Sequence, residues 1–455
     1  MNRSRLRSAV GALLVAGVAL SAAACGSDDN SGDTPVDPNA KVTLVINGLP
    51  PDTEAVARKR FQDNVAEFER LNPNIDVDAK EGKMDPQTFQ AKLAGGQLED
   101  LFYVYFTDPQ NLISKRVVAD ISGQLKDFPI TEQLRPDLMQ IFQADGKTYG
   151  LPAKNYSLGL LYNRELFEQA KLDPNSPPKT WEEVRTAAKA IAALGKDYVG
   201  YGDYSKNNTG GWHFTAAMYS VGGDMAVNEG GTWKAAFNNE KGKQVLQQLK
   251  DMRWTDNSMG ARQSLEWADL LQMMAGGKLG MYMAAPDNVE AIVNQFKGDF
   301  NDYGLGPIPG GSATLAGGEG YMFKADASPE KINAGLKWLT FWWANPDRIE
   351  AELQYAADNK NPVGLPEPML WTGDAKSKQE AATAKLKNLP TDNYTPFATA
   401  TASIPLKLEP PNAQQVYAVL DVPMLKVLTD KNANIDTLLA DAEKQVNDIL
   451  AAVKN

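Results

Sequence analysis

The chain of 455 residues is longer than single hydrophobic cores usually grow, so two domains are expected. With 43% hydrophobic and 23% charged residues it has the composition of an ordinary globular protein, which argues against a disordered, collagen-like or coiled-coil chain. A formal net charge of −11 makes nucleic acids and anionic lipid surfaces poor partners.

The first residues have the pattern of a secretory signal. An arginine-containing start precedes an apolar run over residues 9–20, and small residues at 21–24 lead to Cys25. The apolar run is too short to span a bilayer, and no later stretch approaches the required length. We therefore expect a signal peptide over residues 1–24 and export of the remaining chain.

Cys25 is the only cysteine, so no disulfide can form within the chain, and an unpaired thiol in an exported protein needs another explanation. The Ala-Ala-Ala-Cys ending resembles the lipobox of bacterial lipoproteins, with Ala22 where leucine is usual. This resemblance implies lipidation of Cys25 and anchoring at the outer face of the cell membrane. The polar composition that follows predicts a flexible tether over residues 25–40. A plain secretory signal with a chance cysteine is the alternative.

Strands and helices alternate in the first part of the mature chain. Strands are predicted over residues 41–46, 75–79 and 101–106, with helices over 52–71 and 87–94 between them. This alternation predicts an α/β lobe with a largely parallel sheet. A turn at residues 145–152 then leads to a continuous apolar run at 157–162, which is typical of a central strand.

The rest of the chain continues the same pattern without an internal repeat. Thr180 and Glu183 have the spacing of a capping box, which starts a helix. Further helices are predicted over residues 240–253, 264–275, from 287, from 329 and over 435–453, with strands at 279–283 and 303–308 and a glycine-rich loop at 310–320.

Several kinds of chemistry lack their motifs. His213 is the only histidine, which excludes multi-histidine metal centres. The chain contains no P-loop, dinucleotide-binding or nucleophile-elbow pattern, so we expect no cofactor, no metal and no catalytic residue. Glycoside hydrolysis by a carboxylate pair stays open, because folding can bring together two acids that are far apart in sequence.

Three motifs in order resemble one known family. Residues 146–152 (GKTYGLP), 161–167 (LYNRELF) and 178–183 (PKTWEE) are similar to a signature of the family 1 extracellular solute-binding proteins. This is the carbohydrate-binding group that includes maltose-binding proteins. Residues 68–77 and 274–281 resemble further motifs of the family, and the likeness extends from residue 41 to the end of the chain.

The resemblance implies the two-lobed periplasmic-binding-protein fold of type II, an α/β architecture whose lobes close on a ligand about a three-segment hinge. By motif position the three crossovers are expected near residues 153–156, 308–311 and 361–364. Lobe 1 is then expected over residues 41–153 plus 311–360, and lobe 2 over 154–310 plus 361–455. The implied function is that of the monomeric binding component of an ABC importer, which captures a carbohydrate and delivers it to permease subunits. A binding protein for a cationic amine is the alternative.

The resemblance also implies ligand contacts on loops that face the cleft. These candidates are Glu54, Tyr105, Asp108, Tyr156, Trp212, Asp287, Gly318, Glu319 and Asn412. A structural role is the alternative for each of them: ring packing for Tyr156 and Trp212, helix capping for Asp287 and Asn412, a tight turn for Gly318, and a surface or capping position for the rest. The two glycines before Trp212 favour a loop at that residue, and His213 is expected to pack beside Trp212.

Overall fold

The fold is that of a computed structural model, which describes residue 37 and residues 40–453 apart from the side chains of Pro86 and Gln87. The predicted signal peptide, Cys25 and nearly all of the predicted tether lie outside the described residues.

The described strands, numbered in chain order, are β1 Val42–Leu49, β2 Ile75–Glu81, β3 Leu101–Tyr105, β4 Gln143–Ala144, β5 Lys147–Thr148, β6 Gly150–Ser157, β7 Gly159–Asn163, β8 Val199–Tyr201, β9 Ala226–Glu229, β10 Thr232–Ala235, β11 Leu279–Ala284, β12 Tyr303–Gly306, β13 Thr314–Phe323 and β14 Leu406–Leu408. The helices are α1 Ala55–Leu71, α2 Pro86–Ala94, α3 Pro109–Ser114, α4 Ser122–Leu125, α5 Pro136–Met139, α6 Arg164–Gln169, α7 Trp181–Ala192, α8 Thr209–Ser220, α9 Glu240–Trp254, α10 Trp267–Ala275, α11 Asp287–Phe296, α12 Pro329–Trp342, α13 Ile349–Asp358, α14 Gly373–Leu386, α15 Thr391–Thr401, α16 Ala413–Thr429 and α17 Ile435–Leu450.

The larger sheet forms the centre of lobe 1. Its strands follow the order β14-β13-β3-β1-β2, and β6 also pairs with β13. The pairs β1–β2 and β1–β3 are parallel, whereas β13 runs antiparallel to both β3 and β6. One continuous apolar core covers this sheet, with Phe68, Phe102 and Trp338 among its fully buried side chains.

The smaller sheet forms the centre of lobe 2, with the strand order β12-β7-β11-β8. Strand β7 pairs antiparallel with both neighbours, and β11 pairs parallel with β8. Two apolar clusters pack on this sheet. Helix α7 on this lobe begins with the predicted capping box: the Thr180 hydroxyl accepts from the Glu183 backbone N–H, and the Glu183 carboxylate accepts from the Thr180 N–H.

The predicted strand at residues 157–162 is wrong in its bounds, because the chain changes sheets within it. Strand β6 of the larger sheet ends at Ser157, Leu158 is the connection, and β7 of the smaller sheet begins at Gly159. A Cβ atom at Gly159 would lie 2.5 Å from the carbonyl oxygen of Gly306 and 2.4 Å from the Phe397 ring. Glycine at this position therefore allows β7 to lie tightly against its neighbours immediately after the crossover.

The chain returns from β12 to β13 through residues 307–313, near the second predicted crossover. A third connection was expected near residue 361. In the structure, however, Trp371 and Ala375 belong to the core of lobe 1 and α14 packs against α13, whereas Tyr394 and Phe397 of α15 pack in lobe 2. We therefore propose that the third crossover lies at residues 387–390. The other lobe boundaries stay predictions.

Candidate functional site

Side chains from both lobes meet where the crossover strand β6 passes between them. Lys154 lies on β6, and its Nζ is 3.4 Å from Asp287 Oδ2 and 3.1 Å from Glu367 Oε1. Asp287 opens helix α11 of lobe 2 but does not cap it, because the cap position is Pro286 and no capping hydrogen bond is made by a side chain. The capping alternative for Asp287 is thus not observed, and its carboxylate faces the cleft cation.

One ammonium group cannot neutralise both carboxylates. Burial is the largest influence on Asp287 and raises its pKa, but the charges of Lys154 and Lys83 and the hydrogen bonds from Asn288 and Lys154 together outweigh it and leave the pKa below its ordinary value. Burial raises the pKa of Glu367, and the neighbouring Asp287 charge raises it further against the influence of Lys154. The three groups therefore form a cation shared between two acids, in which Asp287 holds the negative charge more strongly.

Glu319 completes this part of the cleft from strand β13. Its carboxylate accepts a hydrogen bond from the Tyr103 hydroxyl and lies 3.3 Å from Lys83 Nζ. Five side chains together form the charged cluster: Lys83, Lys154, Asp287, Glu319 and Glu367. Both lysines of the charged cluster are engaged by carboxylates of the protein itself.

The predicted glycine-rich loop before Glu319 is wrong beyond residue 313, because Gly317, Gly318 and Gly320 lie inside strand β13. A Cβ atom at Gly318 would lie 2.3 Å from the Phe106 ring and 2.5 Å from the Lys154 carbonyl oxygen. One at Gly317 would lie 2.4 Å from the Tyr156 hydroxyl. The glycines thus let rings of the protein lie directly on the strand, which explains their presence without a ligand.

A pocket of about 200 Å³ lies elsewhere in the cleft and is lined from both lobes. Its lining residues are Met84, Phe89, Gln90, Thr107, Asp108, Asn111, Asn208, Asn412, Gln414, Gln415 and Ala418. Six of these eleven side chains are carboxamides, so we refer to it as the amide pocket. Two predicted contacts, Asp108 of lobe 1 and Asn412 of lobe 2, are brought together here.

Neither of these two side chains acts as a helix cap. Asp108 precedes α3 without a capping hydrogen bond, is 8% exposed, and accepts a hydrogen bond from the Thr107 hydroxyl at 3.0 Å. Burial raises the pKa of Asp108 to about 7. Asn412 precedes α16 with a left-handed backbone, φ 52°, and its Nδ2 donates to the Ile449 carbonyl at 3.4 Å.

Glu409 lies just before Asn412 and was not predicted. Its carboxylate accepts a hydrogen bond from the Tyr417 hydroxyl at 2.9 Å. Burial raises the pKa of Glu409 to about 8, and the nearby charge of Asp108 acts in the same direction. The two carboxyl groups are therefore close enough to influence each other.

Tyr156 and Trp212 form an aromatic wall, and Tyr156 interacts electrostatically with Asp287 and Glu319 of the charged cluster and with Glu409 near the amide pocket. The ring centroids of Tyr156 and Trp212 are 6.1 Å apart in an edge-to-face arrangement, and Trp212 stacks offset on Tyr204 at 6.4 Å. Both rings are half-buried, and Trp212 packs against both apolar clusters of lobe 2. The Trp212 Nε1 has no hydrogen-bond partner among the described residues.

The loop predicted around Trp212 is wrong, because Gly210, Gly211 and Trp212 all lie in the first turns of helix α8. A Cβ atom at Gly211 would lie 2.3 Å from the carbonyl oxygen of Tyr417 on α16. The glycines serve close packing of the two helices, not a turn. His213 is fully buried beside Trp212 as predicted, and its Nδ1 lies 2.6 Å from Asp203 Oδ1.

The remaining two candidates lie at the rim. The Tyr105 ring is edge-to-face with Tyr103, and its hydroxyl is 3.4 Å from the Met84 carbonyl oxygen beside the amide pocket. Glu54 accepts a hydrogen bond at 3.1 Å from Gln295 of the opposite lobe. Burial is the largest influence on Glu54 and raises its pKa. Glu54 thus contacts the other lobe, whereas Tyr105 contacts Met84, one of the residues that line the amide pocket.

Residues 53–346 match the family model described as bacterial extracellular solute-binding protein. The match covers well over half of the chain, which therefore belongs to the bacterial extracellular solute-binding proteins. A putative binding protein of Brucella abortus (strain 2308) is 26% identical over 292 residues, which span 61% of this chain and 68% of that protein.

Solved structures agree with this assignment at the level of the fold. An ABC transporter solute-binding protein of Thermotoga lettingae with bound α-D-tagatose has a TM-score of 0.70 at 21% identity, over 90% of this chain and 99% of that one. The GacH receptor of Streptomyces glaucescens, studied unliganded and with acarbose, has a TM-score of 0.68 at 19% identity and the same coverage. The fold is the two-lobed type II architecture, as predicted. Within the described residues, no helix has the length and apolar character needed to cross a membrane.

Proposed function

We propose that the protein captures a carbohydrate in the interlobe cleft and delivers it to the permease of an ABC importer. The amide pocket is the observation that carries this proposal. A carboxamide both donates and accepts hydrogen bonds, so a wall of six of them suits a ligand whose hydroxyl groups do the same. The volume of about 200 Å³ lies below that of pockets for drug-sized ligands, which favours a single small ring at this position.

The aromatic wall supports the same ligand class. Tyr156 and Trp212 present half-buried rings, and the indole Nε1 of Trp212 has no protein partner among the described residues. Sugars offer both apolar C–H faces and hydroxyl groups to such rings. The relatives from Thermotoga lettingae and Streptomyces glaucescens bind α-D-tagatose and acarbose, respectively.

Calorimetry and thermal unfolding with a panel of mono- and oligosaccharides, neutral and amino-substituted, test the proposal. A sugar that binds the folded state alone at a hundred times its Kd raises the free energy of unfolding by about 2.7 kcal/mol. Gln414→Ala removes one pocket carboxamide and should weaken binding, whereas Gln354→Ala, on an exposed position of α13, is the matched control and should not. If no sugar of the panel shifts unfolding of the intact protein, the carbohydrate proposal is wrong.

A cationic amine is the second candidate ligand, because Asp108 lines the amide pocket, Glu409 lies near enough for its pKa to be raised by the charge of Asp108, and neither has an ion-pair partner in the described part of the chain. A parallel panel of simple polyamines, which have no hydroxyl groups, separates the two classes. If polyamines bind and no sugar binds, this second candidate is favoured.

The same proposal includes anchoring at the cell membrane through Cys25. It also includes a monomeric binding protein that contacts its permease at the membrane. Cys25 is followed by a polar stretch suited to a tether. A Cys25→Ala variant should appear in the medium with unchanged ligand affinity. Retention of that variant in salt-washed membranes would show that lipidation at this residue does not hold the protein there.

A further inference from the structure

Some charged side chains of the cleft have ion-pair partners within the protein and others do not, and this difference bears on which solutes the cleft accepts. Both lysines of the charged cluster are already bound by carboxylates: Lys154 by Asp287 and Glu367, and Lys83 by Glu319. A phosphate or carboxylate on a ligand would have to displace one of these internal partners. It would then leave an acid without its cation in a half-buried site, which is unfavourable.

The amide pocket differs from the charged cluster, because its lining contains an acid but no basic side chain. Its eleven lining residues include Asp108 and no lysine, arginine or histidine. Asp108 is 8% exposed, and its carboxylate receives hydrogen bonds from the Thr107 hydroxyl and from the backbone of Tyr105, both of which are neutral groups. Lys115 is the cation that acts on Asp108, and it does so without forming an ion pair.

Glu409 adds a second carboxyl group of the same kind near Asp108, three residues before the lining residue Asn412. Its one side-chain hydrogen bond is from the neutral Tyr417 hydroxyl, and it forms no ion pair within the described residues. The titratable groups that interact with these two acids are Lys115, Tyr105, Tyr156, Tyr219 and Tyr417. Only Lys115 among them carries a positive charge.

We infer that the solute is a hydroxylated ligand that bears a protonated amino group, an amino sugar in chemical class, with its ammonium at Asp108 and Glu409 and its hydroxyls at the pocket carboxamides. This inference rests on the proposed carbohydrate function and narrows it. An ammonium supplies the donors and the charge that these two acids lack, while the carboxamides explain why hydroxyls accompany it. Sugar phosphates and sugar acids are excluded by the same arrangement.

Proton release gives this ligand class a signature that a neutral sugar lacks. Burial raises the pKa of Asp108 to about 7 and that of Glu409 to about 8, so both carboxyls are partly protonated in the empty protein near neutral pH. An ammonium favours the ionised carboxylates and lowers both pKa values. Binding of an amino sugar at pH 7 should therefore release protons to the buffer.

The experiment is calorimetric titration of the full-length protein with glucosamine and galactosamine, each beside its parent hexose, and with glucose 6-phosphate. Each titration is repeated at pH 7 in two buffers of different ionisation enthalpy. We expect each amino sugar that binds to do so at least tenfold more tightly than its parent, with a buffer-dependent enthalpy that reports proton release, and no binding of the phosphate.

Asp108→Asn keeps the shape of the side chain and removes its charge. This variant should reduce the ratio of amino-sugar to parent-sugar affinity about tenfold, whereas Glu168→Gln, at an exposed position on α6, should leave the ratio unchanged. Parent sugars that bind as tightly as amino sugars, or a ratio that Asp108→Asn does not alter, overturn the inference while leaving the carbohydrate function standing. If the folded protein binds no sugar of either kind, both proposals fail together.

Discussion

The charged cluster and the amide pocket lie in one cleft and treat their carboxylates differently. In the charged cluster every acid has a cation or a hydrogen-bond donor supplied by the protein: Asp287 and Glu367 share Lys154, and Glu319 has Lys83 and Tyr103. In the amide pocket, Asp108 has hydrogen bonds from the Thr107 hydroxyl and the Tyr105 backbone, and the adjacent Glu409 has one from the Tyr417 hydroxyl, but neither acid has an ion-pair partner among the described residues. The first group is thus satisfied within the protein, whereas the second retains bonding capacity, which our proposal assigns to the solute.

The aromatic wall should give the largest effect on stability. Trp212 packs against both apolar clusters of lobe 2 and against the Tyr156 and Tyr204 rings, so Trp212→Ala leaves a cavity and should cost about 3 kcal/mol of unfolding free energy. Urea unfolding without ligand measures this cost. A variant that loses sugar binding while its ligand-free stability hardly changes would instead make Trp212 a ligand platform with little structural role.

Lys154→Met tests whether the charged cluster is structural. The change leaves Asp287 and Glu367 facing each other without their cation, and because the three side chains are about one-third exposed or less, we expect a loss of about 2 kcal/mol, below that of a fully buried pair. Lys234→Met removes an exposed pair with Glu229 and should cost less than about 1 kcal/mol.

The two lysine variants are compared by urea unfolding at pH 7. Adding Glu367→Gln to Lys154→Met should restore part of the loss, because one of the two facing charges is removed. Equal effects of Lys154→Met and Lys234→Met would contradict a structural role for the cluster.

The sequence predicted the fold more fully than it predicted which charged side chains meet in the cleft. The three ordered motifs and the capping box at Thr180 predicted the family and the α7 start, because such signals are local. The partnership of Lys154 with Asp287 spans 133 residues and leaves no local pattern, although Lys154 lies within the predicted crossover at residues 153–156. Glu409 was missed for the same reason, although the two prolines after it marked a loop.

Glycine was the most misleading residue type. Gly210 and Gly211 were interpreted as a loop and those of residues 317–320 as a turn, but both sets lie in regular elements. At these positions the missing side chain lets a neighbouring helix backbone or aromatic ring lie closer than a Cβ atom would allow. Such close approach is a property of the folded molecule, so the sequence pattern alone does not separate it from a turn. The roles of the nine candidate contacts in ligand binding stay predictions.

Asp108 in the amide pocket should make the empty protein less stable as the pH rises. Its ordinary pKa of 3.8 applies to the unfolded chain, whereas burial raises the pKa to about 7 in the fold. Between these values the folded state holds a proton that the unfolded state has released, so stability falls with rising pH through this window. Asp108→Asn removes this dependence, and the loss of stability from pH 5 to pH 8 should shrink by an amount on the order of 2 kcal/mol.

Urea unfolding at both pH values measures the difference, with Glu168→Gln as the exposed control. Glu409 has its own raised pKa and should preserve part of the pH dependence in both variants. A wild-type protein whose stability rises from pH 5 to pH 8, with Asp108→Asn following the same course, would show that this carboxyl is not held in the protonated form.

The smallest effect is expected at the hydrogen bond between the lobes, which belongs to neither group. Glu54 on lobe 1 accepts a hydrogen bond from Gln295 near the end of α11, 3.1 Å away, so the lobes touch directly at the rim. Gln295→Ala removes this contact and should change the free energy of unfolding by about 0.5 to 1 kcal/mol.

Because the Glu54–Gln295 contact links two bodies that move about a hinge, the larger consequence should be a shift of the ligand-free population towards open forms. Solution scattering should then show a slightly larger radius of gyration for the ligand-free variant and the same value as wild type once a sugar is bound. Gln354→Ala serves as the control for an exposed glutamine. If Gln295→Ala and wild type give equal radii both without and with ligand, the rim contact has no part in closure, and closure depends on the groups within the cleft.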